Sequence, residues 1–83
     1  MIQTIRDLVA RHGRLPMDVA TLTDSQDLYA AGLTSFSAVQ LMLGLEEAFE
    51  IEFPEAMLNR KTFSSISAIG AAIAEIAPAK AAA

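Results

Sequence analysis

Residues 32–50 read Gly32-Leu33-Thr34-Ser35-Phe36-Ser37-Ala38-Val39-Gln40-Leu41-Met42-Leu43-Gly44-Leu45-Glu46-Glu47-Ala48-Phe49-Glu50, and this stretch decides the fold. Laid out at about 100° per residue, Ala38, Leu41, Met42, Leu45 and Phe49 share one face, the stripe a helix buries in a core. Thr34 or Ser35 supplies the short hydroxyl that caps free N–H groups at a helix entrance, so the helix is expected from there to about Glu50. The opposite face holds Gln40, Glu47 and Glu50, as a solvated face should, but also Phe36, Val39 and Leu43. Those three stand three and four residues apart next to the helix start. They form an apolar strip of the kind that marks a binding surface when nothing else in the chain covers it.

Upstream, Ile2, Ile5, Leu8 and Val9 recur at helical spacing. Arg11 and His12 complement the last turn before Gly13, so a first helix is expected over about 1–12. From Arg14 to Thr34 the pattern changes to isolated apolar residues among Pro16, Thr21, Thr23, Asp24, Ser25, Asp27 and Gly32. A loop this long is uncommon in a compact domain unless it is functional or disordered. Leu15, Val19, Leu22, Leu28, Tyr29 and Leu33 indicate that it packs onto the core.

Downstream, Pro54 forbids continuation of the second helix but suits the first position of a new one, which gives a short third helix over about 54–59. Thr62 is expected to cap a last helix whose stripe is Phe63, Ile66, Ile69, Ile73 and Ile76, closed by Pro78. With no alternating strand pattern and no repeat, the chain reads as an all-α bundle: one domain over 1–77, followed by a flexible Ala-rich tail over 78–83.

Composition narrows the function. With 83 residues the chain has room for one core, and 53% apolar residues argue against disorder. A net charge of −4 disfavours a nucleic-acid backbone as partner. With no cysteine and a single histidine, His12, no metal cluster can be assembled from soft ligands. Gln3, Arg6 and Asp7 interrupt the first apolar stretch, so neither a leader nor a membrane span is expected, and the chain is read as cytoplasmic and monomeric. No Gly-x-Ser-x-Gly elbow or phosphate-cradling loop occurs, and the adjacent Glu46 and Glu47 point in different directions, as solvated surface. No enzyme activity is expected.

The run Gly32-Leu33-Thr34-Ser35-Phe36 resembles the attachment motif of the acyl carrier proteins, in which an Asp-Ser-Leu sequence, commonly after Gly-Leu, opens the second helix. Ser35 matches the serine, Phe36 replaces the leucine with another apolar residue, and Thr34 replaces the aspartate. Asp27-Leu28, Leu45-Glu46-Glu47 with Phe49, and Phe53-Pro54-Glu55 stand in familiar register, so the resemblance spans nearly the whole chain. It implies a small four-helix bundle with a long first loop and a short third helix. It also implies a 4'-phosphopantetheine arm, taken from coenzyme A and placed on Ser35 by a phosphopantetheinyl transferase.

A phosphodiester there would meet the positive end of the helix, an effect worth roughly 0.3–1 kcal/mol. Leu33, Thr34, Phe36, Val39, Leu43 and Met57 are the residues expected to meet partners. Many fatty-acid carriers line this helix with acids, whereas here only Glu46, Glu47 and Glu50 occur. The chain looks more like the discrete bacterial carriers loaded with an amino acid, such as glycine or alanine, by ligases similar to class II aminoacyl-tRNA synthetases. A downstream acceptor enzyme would then take the cargo. Fatty-acyl, polyketide or peptidyl cargo stays open, as does an unmodified interaction module of the same fold. Arg60 and Lys61 are candidates to hold a partner or the arm's phosphate, although basic residues after a short helix are ordinary surface.

Overall fold

The computed structural model describes residues 1–82, and among them helices are the only regular elements. In chain order these are α1 (Ile2–His12), a 3₁₀ turn (Val19–Thr21), α2 (Ser35–Phe49), a second 3₁₀ turn (Glu55–Met57), α3 (Ile66–Ile76) and the short α4 (Pro78–Ala82). The all-α expectation holds.

The core is where the apolar stripes meet. Ile5 and Val9 of α1, Leu41 and Leu45 of α2, and Ile66, Ile69 and Ile73 of α3 are fully buried, with Leu28 from the long connection among them. Burying such side chains is worth about 1.5–3 kcal/mol each against the chain entropy of an ordered bundle. Two close approaches let α1 lie against both partners. Gly44 of α2 leaves the space that the His12 ring occupies, and a Cβ built there would stand 2.7 Å from His12 Cδ2. Gly70 of α3 does the same for Ile2 and Met1.

The connection from Gly13 to Thr34 is tied down by named bonds. The Arg6 guanidinium reaches out of α1 to donate to the carbonyls of Val19 at 3.0 Å and Leu22 at 2.8 Å, and to the Asp24 carboxylate at 2.6 Å. Backbone bonds join the same segment to the entrance of α3: Leu28 N–H to Ser64 O and Ser67 N–H to Asp24 O. Val19, Leu22, Leu28 and Leu33 are buried as expected. Gly32, at φ +124°, brings the backbone against the Pro16 ring in a conformation that other residues rarely adopt.

Several boundaries differ from the sequence reading. The expected helix over 54–59 contracts to the single turn Glu55–Met57, because nothing caps it and its backbone is spent on short-range bonds such as Met57 N–H to Pro54 O. The last long helix starts at Ile66 and not after Thr62. Ser65 is the cap, accepting from Ala68 N–H at 3.0 Å, while Thr62 bonds to Asn59 and Phe63 packs edge-on against Phe53 ahead of the helix. Glu46 is not free surface, since its carboxylate accepts the Phe53 N–H at 2.9 Å and ties the end of α2 to the following segment. Pro78 closes α3 as expected, but it also opens α4, where its fixed φ suits a first helical position. The segment expected as a flexible Ala-rich tail is helical over Pro78–Ala82, and Ala83 lies outside the described residues.

Candidate functional site

Three hydroxyls stand together at the entrance of α2, and the structure gives each a different job. Thr34, in an extended conformation, is the cap: its Oγ1 accepts the Ser37 N–H at 3.1 Å. Ser37 is 3% exposed, and its Oγ accepts from Thr34 Oγ1. Ser35, the first helical residue, is exposed, and its Oγ has no hydrogen-bond partner among the described residues. Of the three, only the Ser35 oxygen is both accessible and uncommitted. A cap needs a short side-chain oxygen, and Thr34 supplies it as an aspartate would.

The electrostatics of the entrance favour an anion. The N–H groups of Ser35 and Phe36 have no protein acceptor among the described residues, as the first turn of a helix dictates. No acidic side chain sits in that turn.

Beside Ser35 runs a groove of about 350 Å³ lined by Ser35, Ala38, Val39 and Met42 from α2, Tyr29 from the long loop, and Leu58, Asn59, Arg60 and Phe63 from the segment before α3. The guanidinium of Arg60 lies over the Tyr29 ring, 4.2 Å from its centroid. Burial raises the Tyr29 pKa above its ordinary value; the nearby Arg60 charge opposes this and Asp27 adds to it. The sequence does not report the groove as a unit, because Tyr29 reads there as one more core residue of the loop and Leu58 as part of a helix. The proximity of Arg60 to Ser35 depends on the turn at 55–57, which no periodicity reports.

The expected partner residues separate into groups. Phe36, Val39 and Leu43 are 65%, 49% and 51% exposed, large apolar side chains left uncovered in a strip that begins next to Ser35. Thr34 is exposed, though its oxygen is engaged as the cap. Leu33, expected at the partner face, is 5% exposed and belongs to the core, because the chain turns inward after Gly32. Met57 is half-buried and lines not the groove beside Ser35 but a second one, with Asn59, Lys61, Thr62, Ala68 and Glu75. Among the described residues no cluster of potential metal ligands forms, and no helix is long and apolar enough to cross a membrane.

The site fits a covalently attached phosphate-bearing group: an uncommitted exposed hydroxyl, free N–H groups around it, and a groove alongside with one cation on its rim. Comparison with known proteins points the same way. The model of the family described as "Phosphopantetheine attachment site" matches residues 3–73. A curated protein of Agrobacterium fabrum, the aminoacyl carrier protein, is 62% identical over 69 residues, 83% of each chain. Among solved structures, the chain resembles one in the crystal structure of an engineered Bradyrhizobium japonicum glycine:[carrier protein] ligase complexed with carrier protein from Agrobacterium tumefaciens and AMP. That match has a TM-score of 0.86 and 59% identity, covering 88% of this chain and 97% of the other. A solution structure from Agrobacterium tumefaciens matches end to end, with 57% identity and a TM-score of 0.76. The chain belongs to the phosphopantetheine-attachment family of carrier proteins, non-catalytic bundles whose working group is a 4'-phosphopantetheine arm.

Proposed function

We propose that Ser35 carries the arm and that the protein is an aminoacyl carrier, loaded with a small amino acid such as glycine or alanine. The single observation that carries the attachment residue is the division of labour at the α2 entrance, where Thr34 and Ser37 are committed to each other and Ser35 is exposed without a partner. The terminal thiol of the arm supplies the chemistry, holding the cargo as a thioester, while the chain supplies position and recognition.

The aminoacyl reading rests on the 62% identity to an aminoacyl carrier protein and on the likeness to a chain crystallised with a glycine:[carrier protein] ligase. Such a partner would meet Phe36, Val39 and Leu43, which lie on the same helix as the attachment point and are half to two-thirds exposed. With no acid in the first turn of α2, that contact relies on apolar area more than on charge, so added salt weakens it little. A phosphopantetheinyl transferase would install the arm and a downstream acceptor enzyme would take the cargo. On this reading the carrier works in the cytoplasm as a monomer and binds no nucleic acid.

Intact-mass measurement after incubation with coenzyme A and a broad-specificity phosphopantetheinyl transferase tests the assignment. The wild type is expected to gain one phosphopantetheine mass and Ser35→Ala none. A wild type that stays unmodified, or a Ser35→Ala variant that gains the mass, overturns it. Incubating the modified protein with ATP, an amino acid panel and a glycine:[carrier protein] ligase then identifies the cargo. An unmodifiable chain that still bound a partner through Phe36, Val39 and Leu43 would instead be an interaction module.

A further inference from the structure

The groove beside Ser35 is apolar along its floor, yet one cation stands on its rim. Arg60 is exposed, and an unrestrained arginine of that kind samples many rotamers. Here its guanidinium is parked 4.2 Å from the centroid of a half-buried ring, Tyr29. A cation held over an aromatic face spends none of its N–H donors on a hydrogen-bond acceptor, so an arginine's planar fork stays available there. That fork is unspent: Arg60 donates no hydrogen bond and has no carboxylate partner among the described residues, where the one ion pair is Arg6 with Asp24. Its neighbour Lys61 lines a different groove, together with Glu75. Among the described residues, only Arg60 combines an oriented charge without an ion-pair partner with a place in the same groove as the Ser35 hydroxyl.

We propose that Arg60, held on the face of Tyr29, pairs with the phosphodiester that joins the arm to Ser35 and so lays the first part of the arm along the groove. The inference rests on Ser35 being the attachment residue. Charge complementarity selects the occupant: an arm on Ser35 places a singly charged phosphate at the mouth of a groove whose rim offers a planar donor fork, the geometry suited to phosphate oxygens. Arg60 is a positioning residue in this scheme, since it touches the link and not the cargo.

The test uses isotope-labelled protein converted with coenzyme A and a phosphopantetheinyl transferase, with conversion checked by intact mass. The ³¹P resonance of the phosphodiester and the Arg60 Nε–Hε cross-peak are then followed in the wild type, Arg60→Gln and Lys61→Gln. We expect the Nε–Hε peak to shift between the unmodified and modified wild type, and the ³¹P resonance to move in Arg60→Gln but not in Lys61→Gln. An unmoved Nε–Hε peak in a fully converted wild type overturns the pairing, and that comparison needs no variant to fold. A ³¹P resonance that responds equally to both substitutions also overturns it, because a diffuse positive field would then account for the effect. Failure of the wild type to gain the mass at all sinks the attachment reading, and the pairing with it.

Discussion

Replacing Arg6 with methionine keeps the apolar stem of the side chain and deletes the three bonds that hold the long connection against α1. Two of these run to the backbone carbonyls of Val19 and Leu22, residues that are themselves buried, and the third to Asp24, whose side chain is 54% exposed. A hydrogen bond from a charged donor contributes about 1.5–3 kcal/mol, with the larger share arising when the abandoned acceptor is kept from water. The ion pair to a largely exposed carboxylate adds only about 0–1 kcal/mol. Counting the two carbonyl bonds near the lower end, because Arg6 is only partly buried, Arg6→Met costs about 3 kcal/mol. For a domain of this size about 1 kcal/mol moves the melting temperature by roughly 4–8 °C, so a fall of about 12–24 °C is expected by circular dichroism.

Asp24→Ala removes the carboxylate but leaves its backbone carbonyl to accept the Ser67 N–H, so it should cost no more than about 1 kcal/mol. If the two substitutions destabilise equally, the carbonyl bonds contribute nothing, and the idea that Arg6 anchors the loop through its backbone is refuted.

Other outcomes follow from the same geometry. Thr34→Ala removes the cap of α2 and should cost about 1 kcal/mol in urea unfolding, whereas Thr34→Asp should hold stability near the wild type, as both present an oxygen to Ser37 N–H. Gly44→Ala gains about 1 kcal/mol of helix propensity, but its Cβ meets the His12 ring, and overpacking of that kind costs about 1–3 kcal/mol. Net destabilisation is expected, with recovery in the His12→Ala, Gly44→Ala double variant; a single variant more stable than wild type would show that the ring moves freely. Tyr29 is the only tyrosine, in a chain without tryptophan, so its ultraviolet titration is clean. Burial raises its pKa, with Arg60 opposing, so the ionisation midpoint should lie above the ordinary value of 10.0 and move higher in Arg60→Gln. Because the unfolded chain gives up that proton first, stability from this group is intact below the ordinary value and is lost as pH rises through the raised one. A Tyr29 that ionises at its ordinary pH would contradict the burial.

How much of this was legible in the sequence depends on the range of the interactions. The stripe of α2 and the stripe of α1 were readable because periodicity alone selects the face: Leu41, Leu45, Ile5 and Val9 are all at 0% exposure. The start of α3 was misplaced because two hydroxyl residues, Thr62 and Ser65, both suit a cap. The choice between them is made by Phe63, which spends its ring on Phe53 across the fold. The helix expected after Pro54 failed for a related reason. A proline supplies a start, but a helix of a few residues has no propagation to offset its nucleation cost, and packing must decide.

The entrance of α2 was legible to a narrower degree. Sequence places Thr34, Ser35 and Ser37 within one turn but cannot say which hydroxyl is spent, since that depends on a bond between the first and the last of them. Leu33 shows the same limit from the other side. It is adjacent in sequence to the site and was expected on its surface, yet the positive φ of Gly32 turns it into the core. Arg60 is distant in sequence and arrives at the groove only because a short turn brings it over Tyr29. Residues around Ser35 are therefore poorly ranked by sequence distance. Turns and caps decide which groups face the same groove, and a long loop anchored at Arg6 places one ring from that loop under a cation from the segment before α3.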